Sequence, residues 1–99
     1  MMSWTVKISR KIQKQIEKLP PSPRQRLNFL VVEIEKYGPV RDGWANYGKI
    51  RGKKDCYHCH LRKGNPTYVA VWKAIENEIK IVEIKYAGTH ERVDYSSIC

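Results

Sequence analysis

Residues 67–75 read TYVAVWKAI and residues 79–87 read IKIVEIKYA, and these two stretches decide the fold. Both are rich in β-branched and aromatic residues, which favour strands. Residues 56–62 (CYHCHLR) form a third strand candidate, and turn-forming residues at 63–66 and 76–78 separate the three. The pattern therefore predicts three consecutive strands in the C-terminal half of the chain.

The N-terminal half predicts a short strand and a first helix. In residues 3–8 apolar side chains alternate with polar ones, which is typical of a half-buried strand. Ser9 is a candidate N-cap for the helix that follows, because its hydroxyl can accept a hydrogen bond from the first turn. The proline pair at 20–21 ends this helix.

A second helix is predicted directly after the proline pair. Ser22, Pro23 and Gln25 have the spacing of a capping box, and Gly38 ends the helix. The order β-α-α-β-β-β predicts an α+β fold, in which a helical hairpin packs on one face of a mostly antiparallel sheet. The other face of the sheet is then expected to be an open working surface.

Composition and charge limit the class of protein. The chain has 99 residues, of which 41% are hydrophobic and 29% charged, so we expect one globular domain spanning residues 1–99. Nineteen Lys and Arg face ten Asp and Glu, and this net charge of +9 favours a polyanionic partner such as nucleic acid. Since no signal-peptide core or membrane-spanning run is present, we expect a cytoplasmic location and no membrane partner. Three cysteines do not predict a disulfide framework.

The three histidines, His58, His60 and His90, are the main chemical signal. Strand alternation places His58 and His60 on one face with Cys56 and Arg62, directly after a basic loop. Imidazoles titrate near neutral pH and can act as general base and general acid, and arginine can stabilise charge growing on phosphorus. The pattern suits RNA cleavage through the ribose 2′-OH, with solvent-exposed structural histidines as the alternative.

Residues 56–60 also suggest zinc, because they contain a C-x-x-C and two histidines. On a strand, however, Cys56 and Cys59 face opposite sides, and no second C-x-x-C follows. We therefore expect neither a metal nor another cofactor.

Residues 38–55 form a long basic connection, of a length that is often functional. Tyr95 is a candidate for stacking on a base, and Trp72 is expected in the core. Trp44 and Tyr47 remain open between packing and recognition. The candidates for contacting RNA are Lys49, Arg51, Lys53, Lys54 and Arg92.

Several segments together resemble a known family. Residues 50–62 (IRGKKDCYHCHLR), 68–72 (YVAVW) and 87–92 (AGTHER), with Tyr95, are similar to RelE/HigB-type toxins of type II toxin–antitoxin systems, in the RelE/ParE superfamily. The resemblance covers nearly the whole chain. It implies a metal-independent endoribonuclease that cuts mRNA in the ribosomal A site, yielding a 2′,3′-cyclic phosphate. It also implies a cognate antitoxin as partner and a toxin–antitoxin complex that binds operator DNA.

The resemblance carries over to single positions with some changes. His58 and His60 stand where the RelE pattern has two lysines, His90 and Val69 stand where it has arginines, and Tyr95 matches its stacking tyrosine. Other branches of the superfamily use histidines, so these changes are compatible with activity.

The roles that follow from the resemblance are expectations. His58 or His60 is the general base, His90 is the general acid, and Arg51 and Arg62 bind the scissile phosphate. Two alternatives remain, namely a ParE-like toxin that inhibits DNA gyrase and a non-catalytic RNA-binding module. The clustered histidines and the basic loop favour the nuclease.

Overall fold

The computed structural model describes residues 4–75 and 80–99. The expected turn at 76–78 and the start of the last predicted strand at Ile79 lie outside these residues. The elements in chain order are β1 (Thr5–Lys7), α1 (Arg10–Glu17), α2 (Pro21–Tyr37), β2 (Gly48–Lys49), β3 (Cys56–Arg62), β4 (Tyr68–Ala74), β5 (Ile81–Thr89) and a single 3₁₀ turn, His90–Arg92.

The strands form one five-stranded sheet in the order β1-β5-β4-β3-β2. β1 pairs with β5 in parallel, and the other three pairs are antiparallel. Helix α1 contacts β5, and α2 contacts β3 and β1, so the helical hairpin covers one face of the sheet. The predicted α+β fold is therefore confirmed.

The core lies between the hairpin and the sheet. It includes Leu27, Leu30 and Ile34 of α2, together with Val82 and Ile84 of β5. Trp72 is fully buried in β4, as predicted, and its Nε1–H donates to the carbonyl oxygen of Pro39 at 2.9 Å. That bond satisfies the one polar group of a side chain that otherwise contributes apolar area.

The sequence predicts a capping residue at the start of each helix, and the structure tests both predictions. The Ser9 hydroxyl accepts a hydrogen bond from the backbone N–H of Ile12 at 3.2 Å, which confirms the first cap. The predicted capping box at Ser22 is wrong, because α2 begins at Pro21 and its N-cap residue, Pro20, has no side-chain hydrogen bond. Proline is tolerated in a first helical turn because the N–H it lacks would be unpaired there.

The connection between α2 and β3 contains a strand that the sequence pattern does not predict. Gly48 and Lys49 form β2, which pairs with His58 and Tyr57 of β3. Two residues are too few to show alternation, so only the pairing with β3 defines this strand.

The second face of the sheet is less open than predicted. The C-terminal tail returns across it, and Val93, Tyr95 and Ile98 pack against a small buried cluster around Cys56 and Val71. The side chains of this tail are apolar at those positions, so covering the sheet removes apolar area from water. The surface available for function is therefore the part of this sheet face that the C-terminal tail does not cover.

Cys56 and Cys99 form a disulfide, a single cross-link that the cysteine count did not predict. The returning tail brings their Cα atoms to 6.6 Å, within the range that a disulfide can bridge. The third, Cys59, is a buried free thiol. Within the described parts of the chain, no helix is long and apolar enough to cross a membrane.

Candidate active site

The sheet brings the three histidines together. His60 pairs with Val69 of β4, and Val69 pairs with Gly88 of β5. His90 follows the end of β5, two residues after Gly88, and so lies close to His60. The ring centroids of His60 and His90 are 5.7 Å apart, with the rings at 67° to each other. Two residues that are 30 positions apart in sequence therefore form a facing pair.

Tyr95 joins this group through the returning tail. Its ring centroid lies 5.4 Å from that of His58 and 6.4 Å from that of His90. Tyr95 is half-buried, and burial raises the pKa of its phenol, with smaller contributions from Tyr86 and Cys59. The phenol therefore remains neutral at neutral pH and offers an uncharged ring face beside the imidazoles.

The environment of His58 and His60 favours their neutral forms. Burial is the largest cause that lowers the pKa of each imidazole, and nearby positive charge adds to it. For His58 that charge comes from His60 and His90, and for His60 it comes from His90 and Lys63. A neutral imidazole can accept a proton, which is what a general base requires.

The position of His58 depends on the short strand β2. Gly48 lies opposite His58, and a Cβ at Gly48 would be 3.4 Å from His58 Nε2. The Nδ1 atoms of His58 and His60 are buried, and neither has a hydrogen-bond partner among the described residues. The two rings are thus held by packing rather than by a hydrogen-bonded neighbour.

Positive charge lines a groove next to His58. The groove has a volume of about 380 Å³, and its walls include Lys49, Arg51, His58 and Tyr95. Both cations are exposed, so a phosphate group can reach them from solvent. Among the candidates from sequence, these four residues are the ones that share this groove.

The remaining candidates lie elsewhere on the surface. Lys53 is half-buried, and Lys54 is exposed in the same loop. Arg62 is exposed at the end of β3, after a register shift that sets it opposite Tyr68. Arg92 is exposed on the 3₁₀ turn and lines a second groove. None of these four lines the groove beside His58.

The structure decides the role of two loop aromatics. Trp44 is buried, its Nε1–H donates to Glu33 at 2.9 Å, and the Arg26 guanidinium lies 4.3 Å from the ring centroid. Tyr47 is half-buried and stacks on Tyr57 with centroids 6.0 Å apart. Both side chains pack against the core rather than facing a ligand.

The cysteines next to the histidines do not extend the site. Burial raises the pKa of Cys59 to about 12, so its thiol stays protonated at neutral pH. Cys56 is engaged in the disulfide. In the ranges 4–75 and 80–99, no group of three or more His, Cys, Asp or Glu side chains is arranged to hold a metal ion.

Two features of the site were missed from the sequence. Gly48 of β2 borders His58, and Cys99 anchors the tail that carries Tyr95. The apolar residues of the tail, Val93 and Ile98, were an available signal that this segment is packed rather than free.

Comparison with known proteins identifies the architecture. No protein-family model and no curated protein sequence matches the chain. Among solved structures, a double-arginine mutant of the E. coli toxin RelE in the free state is 25% identical, with a TM-score of 0.73, and the match covers 97% of this chain and 93% of that chain. A chain of the intact E. coli RelBE toxin–antitoxin complex is 26% identical, with a TM-score of 0.70, over 90% of this chain and 99% of that one.

A more distant match supports the fold alone. The archaeal RelE–RelB complex from Pyrococcus horikoshii OT3 has a chain that is 20% identical, with a TM-score of 0.62, over 93% of this chain and 100% of that chain. The fold and the comparisons together show a small α+β protein with the architecture of RelE toxins. The chain is thus structurally similar to RelE toxins, both in the free state and in complex with an antitoxin.

Proposed function

We propose that this protein is a ribosome-dependent mRNA endonuclease, an mRNA interferase that inhibits translation as the toxin of a type II toxin–antitoxin system. The observation that carries the proposal is the grouping of His58, His60 and His90 with Tyr95. This group adjoins a groove lined by cations, and it sits on a RelE-like fold. Clustered titratable groups beside phosphate-binding charge are typical of an RNA-cleaving site.

The proposed reaction needs no metal. Neutral His60 accepts the proton of the ribose 2′-OH, and the 2′-oxygen forms a bond to the adjacent phosphorus. His90, which faces His60, donates a proton to the leaving 5′-oxygen as the bond between phosphorus and that oxygen breaks. The products are a 2′,3′-cyclic phosphate and a 5′-OH end.

The other residues bind and orient the RNA. Lys49 and Arg51 neutralise the phosphate charge in the groove, where His58 can donate or accept a hydrogen bond. Tyr95 stacks on a base, and its neutral ring face suits that role. Arg62, exposed at the end of β3, provides a further cation for the RNA backbone.

The solved structures that resemble this chain also suggest which partners it has. One of them is described as a toxin–antitoxin complex and another as a RelE–RelB complex, which supports a cognate antitoxin for this chain as well. We further propose the ribosomal A site and mRNA as the targets, and operator DNA as a ligand of the toxin–antitoxin complex. Activity on ribosomes implies a cytoplasmic protein.

A cleavage assay tests the proposed function. The protein is mixed with an mRNA, either free or bound to programmed ribosomes with an empty A site, and new 5′ ends are mapped. We expect cuts only on the ribosome, and none from a variant in which His58, His60 and His90 are all alanine. The absence of cuts in both wild-type samples would contradict nuclease activity, and a DNA supercoiling assay would then test the gyrase alternative.

The dependence of the cleavage rate on pH gives a second prediction. Because burial lowers the pKa of His60 from its ordinary value of 6.5, its neutral form persists below that pH. The acidic limb of the single-turnover rate profile should therefore lie below pH 6.5. Lys63→Ala removes one of the positive charges that lower this pKa, so the limb should move to higher pH.

The matched control is Lys36→Ala, which removes an exposed lysine from the end of α2 and should leave the limb in place. A flat profile between about pH 5 and 8, with chemistry rate-limiting, would contradict a base with imidazole character.

A further inference from the structure

A second groove lies beside the 3₁₀ turn that contains His90. It has a volume of about 360 Å³, within the range of about 300–1,000 Å³ that is usual for small-molecule sites. Lys18 and Leu19 at the end of α1 form one wall, and Tyr68 and Tyr86 form the other. Arg92 closes the end nearest the turn.

The groove exists because β1 is short. β1 pairs with β5 only as far as Glu83, and beyond that point α1 approaches the edge of β5 instead. The Gln15 side chain accepts a hydrogen bond from the backbone N–H of Ala87 at 3.0 Å and so ties the helix to the strand. The groove is therefore part of the folded architecture and not a gap between mobile loops.

One wall of the groove is held in place by a local contact. The Tyr86 hydroxyl donates to the carbonyl oxygen of Thr89 at 2.8 Å, and its ring lies over Gly88. A Cβ at Gly88 would be 2.7 Å from the Tyr86 hydroxyl oxygen, so glycine is required for this arrangement. The aromatic wall is thus preorganised, which lowers the entropic cost of binding a ligand.

The chemistry of the walls suits a nucleotide. Lys18 and Arg92 are exposed cations, and no Asp or Glu is among the described residues that line the groove. Tyrosine rings and aliphatic side chains between the two cations offer a surface on which a base can stack. The exposed face of α1 extends the positive charge, since Arg10 and Lys11 lie on it.

The groove also lies where an RNA strand would pass. Thr89 lines it and is the residue directly before His90, and Arg92 is two residues after His90. We propose that this groove binds one nucleotide of the RNA strand next to the cleaved bond. The base lies against Tyr68, and a backbone phosphate lies between Lys18 and Arg92; this assignment rests on the proposed function.

The test measures binding separately from cleavage. A short, fluorescently labelled RNA with 2′-O-methyl groups throughout lacks the attacking hydroxyl, so its affinity can be measured by anisotropy without turnover. For Lys18→Ala we expect weaker binding, and a plot of log affinity against log salt that is less steep by about 0.7, the value for one lost contact to a single strand. Tyr68→Leu keeps an apolar side chain but removes the ring, and should weaken binding by at least about fivefold.

The matched control is Lys36→Ala, which should leave affinity and salt dependence unchanged. On ribosome-bound mRNA, Lys18→Ala should raise KM and leave kcat unchanged, because the contact is made equally in the ground and transition states. Circular dichroism of each variant excludes loss of the fold as the cause.

The outcomes separate this proposal from the proposed function. If wild-type protein cleaves mRNA while Lys18→Ala has wild-type affinity and salt dependence, the groove assignment is overturned and the nuclease stands. If both substitutions weaken RNA binding but wild-type protein cuts nothing, RNA binding by the groove is supported, whereas the nuclease and the position of the groove beside a cleaved bond are overturned. If Lys18→Ala weakens binding of a protein partner and leaves RNA binding unchanged, the groove belongs to that partner and the assignment is overturned.

Discussion

Replacing His60 with alanine is expected to lower the rate of mRNA cleavage by about 10²–10⁴-fold, the usual contribution of a general base. His60 carries this expectation because its ring faces His90 at 5.7 Å and its lowered pKa favours the proton-accepting form. The measurement is single-turnover cleavage of mRNA on programmed ribosomes. Binding of the 2′-O-methyl RNA should change little, because the loss concerns proton transfer.

A substrate with a modified leaving group distinguishes the residue that acts as general base from the one that acts as general acid. In an mRNA whose bridging 5′-oxygen is replaced by sulfur, the thiolate leaves without protonation, so a general acid is no longer needed. His90→Ala should therefore recover most of its lost rate on this substrate, whereas His60→Ala should not. If the cleavage rate of His60→Ala recovers on the sulfur-containing mRNA and that of His90→Ala does not, the roles of base and acid are reversed.

The control for this experiment is a lysine at the end of α2, the helix that packs on the opposite face of the sheet. Lys36→Ala should cleave both substrates at the wild-type rate. Equal thermal stability of the histidine variants and wild-type protein would show that the loss is chemical. An undiminished rate for His60→Ala on the normal mRNA would contradict its role as base.

Removing the Cys56–Cys99 disulfide is expected to lower the free energy of unfolding by about 2–4 kcal/mol. The two cysteines are 43 positions apart, so the cross-link removes many conformations from the unfolded chain. Cys99→Ser tests this by chemical denaturation under non-reducing conditions, where the midpoint should fall and the slope m should rise, because the unfolded chain without the cross-link exposes more surface.

The same substitution should also affect the site. The disulfide ties the tail to β3 next to His58, and the tail carries Tyr95. Without the disulfide we expect a higher KM for mRNA, since the Tyr95 ring must then be ordered during binding. The chemical step should be less affected, because His60 lies in β3 and the backbone N–H of His90 donates to the carbonyl oxygen of Thr67, and neither contact involves the disulfide.

A reductant provides the matched control. Adding it should shift the unfolding midpoint of wild-type protein to that of Cys99→Ser and should leave Cys99→Ser itself unchanged. Identical midpoints for wild-type protein with and without reductant would contradict a stabilising disulfide.

Local pattern predicted much of the fold correctly. β3 was predicted as residues 56–62 and is observed as Cys56–Arg62, because alternation of polar and apolar side chains reports on a strand directly. The cap at Ser9 and the burial of Trp72 likewise follow from local rules. Where two local rules competed, at Ser22 and the proline pair, the rigid proline backbone decided the start of α2.

The candidate active site shows most clearly which features the sequence determines and which the tertiary structure decides. By itself, the sequence determined that His58 and His60 share one face of a strand, because their spacing of two is the period of a strand. Tertiary structure alone decided that His90 faces His60, that β2 borders His58, and that the tail brings Tyr95 and Cys99 across the sheet. These contacts depend on the register between strands and on the path of the tail, and such long-range relations leave no periodic signal in the chain.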